Sequence, residues 1–144
     1  MAANADEPGT KEGGAEPEGS GFALSRIRQI AQPVHDLERG TAFYRDRLGM
    51  DLLFSVPGQF SFFDCDGTWL MVALPEGEGQ DHPGSILYFE VDDLQVAYES
   101  LRSRGVEFVE SPHRVADMGD YELWMAFFRD SEGNTLALRA EVTK

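Results

Sequence analysis

Two stretches of this chain change from a strand pattern to a helix pattern in the same way. In RIRQIAQPVHDLERGTAFYRDRLG, Arg26 to Gly49, an apolar stretch from Ile27 to Val34 gives way at Asp36 to a helical period. Leu37, Tyr44 and Leu48 then share one face, with Arg39, Asp46 and Arg47 elsewhere. In ILYFEVDDLQVAYESLRSRGV, from Ile86, the switch falls at Asp93, and Leu94, Ala97, Tyr98 and Leu101 recur at i, i+3, i+4 and i+7. Val34, Asp36 and Leu37 match Val91, Asp93 and Leu94 at a constant offset of 57 residues. Each Asp suits an N-cap, because its carboxylate can accept from a free backbone N–H of the first turn. Gly49 and Gly105 supply the stops.

The segments after each helix read as strands separated by turns. In the first half these are Met50–Val56, Phe60–Cys65 and Trp69–Leu74, with turns at Pro57-Gly58 and Asp66-Gly67. In the second half Ser85–Val91 precedes the helix, and Val106–Val109, Leu123–Arg129 and Thr135–Ala140 follow it. A polar loop is expected over Ser111 to Asp120, and a turn at Glu132-Gly133. Each half is therefore strand, helix, then three strands, which predicts an α+β fold of two βαβββ modules. A crossover followed by hairpins gives a mixed sheet with its helix on one face. Two such sheets are expected to curl into an incomplete barrel around a cavity. Module one spans about 26–75, a Gly/Pro-rich linker Pro75 to Gly84, and module two about 85–142, in a single domain over 22–144. The leader, residues 1–21, is rich in Gly, Ala, Glu and Pro with no large apolar residue after Met1, and is expected to be disordered.

Composition narrows the function class. A formal net charge of −14 argues against a nucleic-acid partner and against anionic membranes. No apolar run is long enough to span a bilayer, and no signal-peptide pattern is present, so a cytoplasmic protein is expected. The single cysteine, Cys65, excludes an internal disulfide, and no C-x-x-C spacing exists. It reads as a small packing residue, with no basic neighbour to activate it.

From about Arg26 to Val142, about four-fifths of the chain, the sequence resembles the vicinal oxygen chelate superfamily. The motifs that carry the resemblance are VHDLERGTAFYRDRLGM, ILYFEVDDLQVAYESLRSRGV and FFRDSEGNTLAL. That group includes glyoxalase I, bleomycin-resistance and fosfomycin-resistance proteins and extradiol dioxygenases. The resemblance implies the fold and leaves the reaction open, because the family hosts lyases, isomerases, transferases, dioxygenases and pure binders. In its metal enzymes one ligand lies seven residues before each helix-starting Asp, and another four residues after the Gly of each last hairpin. Those positions here are Gln29, Ile86, Met71 and Ala137. Ile and Ala cannot ligate, and a thioether suits softer ions than the family uses. No cofactor and no divalent metal are therefore expected.

Strand alternation puts Trp69, Met71, Tyr88, Glu90, Ala137 and Arg139 on the cavity side with Gln29. This is an apolar, aromatic bowl with a few polar groups, as a small-molecule site requires. Glu90 is a candidate general base, or a solvent-facing rim residue. Arg139 is placed to hold a ligand's carboxylate or phosphate, or to pair with Glu90. His113 is a candidate acid–base group on the expected loop, or an exposed loop residue. Tyr88 and Trp124 are candidates for stacking on a planar ligand, or core. Trp124 shares the parity of Glu122 and Phe128, which leaves its face open. Gln32 falls on the helix-facing side of its strand, where an apolar residue is expected, and the sequence offers no reason for it. Two functions follow: a lyase or isomerase working by proton transfer through Glu90 or His113, with Gln29 polarising a carbonyl, or a metal-independent protein that sequesters its ligand. The resemblance also implies a homodimer.

Overall fold

The structure is a computed structural model and describes residues 21–77 and 81–144. Residues 1–20 of the expected leader and residues 78–80 of the linker lie outside the described residues. β1 (Gln29–Pro33) leads to Asp36, whose carboxylate accepts from the Arg39 backbone N–H at 3.0 Å and starts α1 (Leu37–Ala42). In the second half, β5 (Leu87–Glu90) leads to Asp93, which accepts from the Val96 N–H at 3.1 Å and starts α2 (Leu94–Ser103). The first helix has one more residue between cap and stop glycine than the second. It continues from Ala42 into a π-helical turn (Phe43–Arg47), a wider coil that takes up the extra residue. Both helices end at glycines with positive φ, Gly49 at 74° and Gly105 at 87°, a backbone region that side chains resist.

β2 (Asp51–Val56), β3 (Phe60–Cys65) and β4 (Thr68–Ala73) complete the first module; β6 (Glu107–Asp117), β7 (Tyr121–Arg129) and β8 (Thr135–Thr143) complete the second. The sheet orders are β1-β4-β3-β2 and β5-β8-β7-β6. The first strand of each module lies parallel to its last, and the remaining pairs are antiparallel. The repeat read from the sequence is thus a repeat of topology. The result is an α+β fold whose two four-stranded mixed sheets do not close into a barrel.

One expectation fails. The segment read as a loop, Ser111 to Asp120, is mostly strand, because β6 runs from Glu107 to Asp117. Its register against β7 shifts three times, between Phe108 and Glu110, Glu110 and His113, and Arg114 and Ala116. Each bulge resets which side chains face the sheet, so the alternation that identifies a strand is lost. β6 is also an edge strand, and polar, kinked edges are how sheets avoid further pairing.

The core lies on the helix side of the sheets. Val34, Tyr44, Phe63, Leu70 and Val72 from the first module form one cluster with Leu94, Leu101, Phe128, Leu136 and Leu138 from the second. Fully burying an aliphatic or Phe side chain contributes about 1.5–3 kcal/mol, so this shared cluster is the main force holding the modules together. Polar contacts set their orientation. Arg39 donates to both carboxylate oxygens of Glu132, at 2.7 and 3.0 Å. Arg47 donates to the Gly105 carbonyl at 3.3 Å, and Arg104 to the Arg47 carbonyl at 3.0 Å. These two arginines cross between helix ends, where cations meet the negative pole of a helix.

Gln32, unexplained by the sequence, is fully buried in this junction. Its amide Nε2 donates to the Tyr44 hydroxyl at 3.4 Å, and that hydroxyl donates to Asp130 at 2.6 Å. Asp130 also accepts from the backbone N–H groups of Glu132 and Asn134 and from the Asn134 amide, each at 2.8 Å. The Asn134 amide reaches on to the Pro33 carbonyl at 3.1 Å. Burial first, and then the Asp130 charge, push the Tyr44 phenol far above the usual range, so it stays protonated and can donate. Among the described residues no helix is long and apolar enough to cross a membrane.

Candidate functional site

Alternation divides each sheet into a core face and an open face. Leu70 and Val72 of β4 and Phe63 of β3 point to the core, so Trp69, Met71 and Phe62 take the other side with Gln29 of β1. In the second sheet Leu136, Leu138 and Ala140 point to the core, which leaves Ala137 and Arg139 of β8 on the open face. Tyr88 and Glu90 sit opposite them on β5.

Aromatic rings dominate the open face of the first sheet. Phe62 lies 5.1 Å from Trp69 and 5.2 Å from Phe54, centroid to centroid, and Phe54 meets Trp69 edge-on at 6.2 Å. The Arg28 guanidinium sits 5.0 Å over the Trp69 ring. Gln29 extends its amide towards the Met71 sulfur at 3.8 Å. On the second sheet Tyr88 meets Phe127 edge-on at 6.1 Å, and His113 stacks on Phe127 at 6.5 Å. Among the described residues no ring pair joins the two groups. Phe54, Ile86 and Tyr88 remain 45%, 45% and 48% exposed, so apolar surface stands open on both sheets.

The structure gathers Gln29, Trp69 and Met71 on one sheet and Tyr88, Glu90, His113, Ala137 and Arg139 on the other. His113 arrives there from strand β6, where a loop was expected. Its Nδ1 donates to the Ser111 carbonyl at 2.8 Å, and its Nε2 lies 3.5 Å from Glu110. Glu90 is solvent-facing and held by Arg139 at 3.3 Å, while Arg139 also reaches Glu141 at 3.4 Å. The guanidinium is thus already shared between two carboxylates. Trp124 does not join the others. Opposite Ala140, it packs against the core and donates to Glu122 at 3.0 Å.

The sequence reading missed Phe54, Phe62 and Phe127. A signal existed, because the two-residue turn at Asp66-Gly67 pairs Cys65 with Thr68 and so puts Phe62 opposite Met71. At the four positions where a resembling enzyme would hold metal, Gln29 offers an amide, Met71 a thioether, and Ile86 and Ala137 nothing. That donor set does not fit a hard divalent ion. Among the described residues no three His, Cys, Asp or Glu side chains cluster as metal ligands. The Cys65 thiol is pushed up by burial and by Asp64 and Asp66, which keeps it from being a thiolate nucleophile.

A sequence model of the Glyoxalase/Bleomycin resistance protein/Dioxygenase superfamily matches residues 26–138. The uncharacterized protein YetH of Bacillus subtilis is 24% identical over 131 residues, covering 81% of this chain and 98% of that protein. Two solved structures are similar across the whole fold. A lactoylglutathione lyase from Agrobacterium tumefaciens has 22% identity and a TM-score of 0.66, over 82% of this chain and 95% of its own. TnmS3, an antibiotic binding protein from Streptomyces sp. CB03234, has 26% identity and a TM-score of 0.64, over 83% and 98%.

Proposed function

Since this chain belongs to the glyoxalase, bleomycin resistance protein and dioxygenase superfamily, we propose that its open sheet faces bind a planar aromatic small molecule without a metal ion. The observation that carries this reading is the Phe54–Phe62–Trp69 cluster beside Gln29. Phe54 and Trp69, backed by the buried Phe62, offer ring surface to a flat ligand, and the Gln29 amide supplies a directional polar contact. The donor set at the four metal positions points the same way. A relative described as an antibiotic binding protein lends the reading support. Two copies of the chain close the open face, because its exposed apolar patches need a ligand or a second subunit to cover them.

A second reading, a lyase or isomerase acting by proton transfer, rests on His113. It stands on the open face of the second sheet beside Phe127, where a bound carbonyl compound would need a base. Glu90 serves this role less well, since Arg139 already holds it.

Calorimetric titration with naphthoquinone and anthraquinone probes tests the first reading. Trp69→Ala should weaken binding about tenfold, the effect of losing one stacking partner. Trp124→Phe, His113→Ala and Glu90→Gln should leave it unchanged. Binding indifferent to Trp69→Ala would sink the proposal. If His113→Ala instead abolished solvent-deuterium exchange into a carbonyl substrate while affinity persisted, the enzyme reading would take its place.

A further inference from the structure

The repeat provides an internal control, since the two modules share a topology and differ in what fills it. Thr41 lies five residues after the cap Asp36, and its counterpart five after Asp93 is Tyr98. Ser61 lies opposite Val72, one residue past Met71; its counterpart, opposite Leu138 and one past Ala137, is Ala126. In module two, Tyr98 packs edge-on against Phe108 at 4.6 Å, and Phe108 against Phe128 at 5.2 Å. Rings therefore fill the seam between helix and sheet. In module one the same seam opens as a cleft of about 600 Å³ between α1 and the β2–β3 hairpin.

Hydroxyls line its inner wall. Thr41 and Ser61 are 8% and 1% exposed, and their oxygens lie 2.8 Å apart. Ser61 is also 2.8 Å from the Ser55 hydroxyl, which lines the cleft from an exposed position. Three O–H groups share two internal hydrogen bonds, so one proton has no partner among the described residues, and the outward lone pairs of Ser55 are offered to the cleft. Of the charged groups around the cleft, Glu38 has no partner among the described residues, and the others are matched. His35 pairs with Asp81 at 2.8 Å, Asp36 caps α1, and Arg45 is bidentate to Asp46. Leu37, Pro57 and Leu74 supply apolar walls.

We propose that this cleft binds a neutral polyhydroxylated molecule, a sugar or cyclitol, through the Thr41–Ser61–Ser55 hydroxyl chain. A hydroxyl chain both donates and accepts, as alternating ligand hydroxyls require, and the apolar walls suit the C–H face of a ring. The Glu38 carboxylate repels anions and can itself accept from ligand hydroxyls, which favours an uncharged polyol. The volume suits one or two sugar rings. The site lies on the helix side of the first sheet, away from the aromatic face, and stands independently of the function proposed above.

The test titrates the full chain with myo-inositol, glucose and ribose while following backbone amide NMR shifts. Saturable shifts are expected at Thr41, Ser55 and Ser61. Thr41→Tyr, which copies the filling of module two, and the nearly isosteric Ser61→Ala should each weaken them about tenfold, the effect of about one lost hydrogen bond. Trp69→Ala should not change them. Shifts that stay linear with concentration, as excluded osmolytes give, would overturn the proposal. So would saturable shifts that survive both cleft variants with folded spectra.

Discussion

Tyr44→Phe removes one oxygen from the junction between the modules, and its effect follows from that oxygen's partners. The hydroxyl donates to Asp130 at 2.6 Å and accepts from Gln32 at 3.4 Å, between residues that are nearly or fully buried. A hydrogen bond to a charged acceptor is worth about 1.5–3 kcal/mol, and a buried amide donor left without an acceptor costs about 1 kcal/mol more. Asp130 keeps its other donors from Glu132 and Asn134, so the site should persist without collapsing. The expected loss is about 3 kcal/mol, or roughly 10 °C in Tm for a chain of this size. Urea unfolding followed by circular dichroism measures it, with the m-value unchanged. Adding Gln32→Leu should recover about 1 kcal/mol, because the orphaned amide goes too. The titration gives a second check. Burial holds the native phenol protonated, so above about pH 10 the unfolded chain binds fewer protons than the native one, and stability falls as pH rises, by up to about 1.4 kcal/mol per pH unit. The variant lacks that slope. A loss below about 1 kcal/mol, or a double variant no more stable than the single one, would refute the reasoning.

Other tests reach different parts of the molecule. At Gly84 an added Cβ would collide with the Gln32 Oε1, so Gly84→Ala should lower stability by about 1–3 kcal/mol in a thermal melt, the range for overpacking. The hydrogen bond from Arg39 holds the Glu132 carboxyl below its ordinary range. The unfolded chain therefore binds more protons in acid, and stability from this pair, present above about pH 5, is lost as pH falls. Arg39→Ala should flatten that acid dependence in urea titrations between about pH 5 and 3. Trp124→Phe should lower stability by about 1 kcal/mol, through lost core contact, while leaving aromatic probe affinity intact by calorimetry.

Much of the fold was legible because its signals are local. Asp36 and Asp93 announce their helices through caps that need only three residues of context, and the structure confirms both bonds. The open-face parity of Gln29, Trp69 and Met71 followed from strict alternation in strands without bulges. Where a strand is bulged the rule has no purchase, and the half of β6 that carries His113 reads as a loop. The face of Trp124 depends on its register with Ala140, a long-range pairing that periodicity does not encode. Gln32 was opaque for the same reason, since its partner Tyr44 is itself fixed by Asp130, 86 residues further along the chain. The extra residue in the first helix was countable from the sequence, but only the wide turn after Ala42 shows how it is absorbed.

The crossed arginines at the helix ends have a consequence for how the two halves can diverge. Arg47 and Arg104 each bind a main-chain carbonyl, Gly105 and Arg47 respectively. A carbonyl is offered by every residue type, so the recognition itself reads no side chain. Gly105 is held as glycine on other grounds, its φ of 87° and a Cβ that would lie 2.9 Å from the Arg47 guanidinium. Mutations elsewhere on either half need no compensating change across this contact. A joint built in this way lets duplicated modules drift apart in chemistry while staying in step mechanically, so that one half can gather hydroxyls where the other gathers rings.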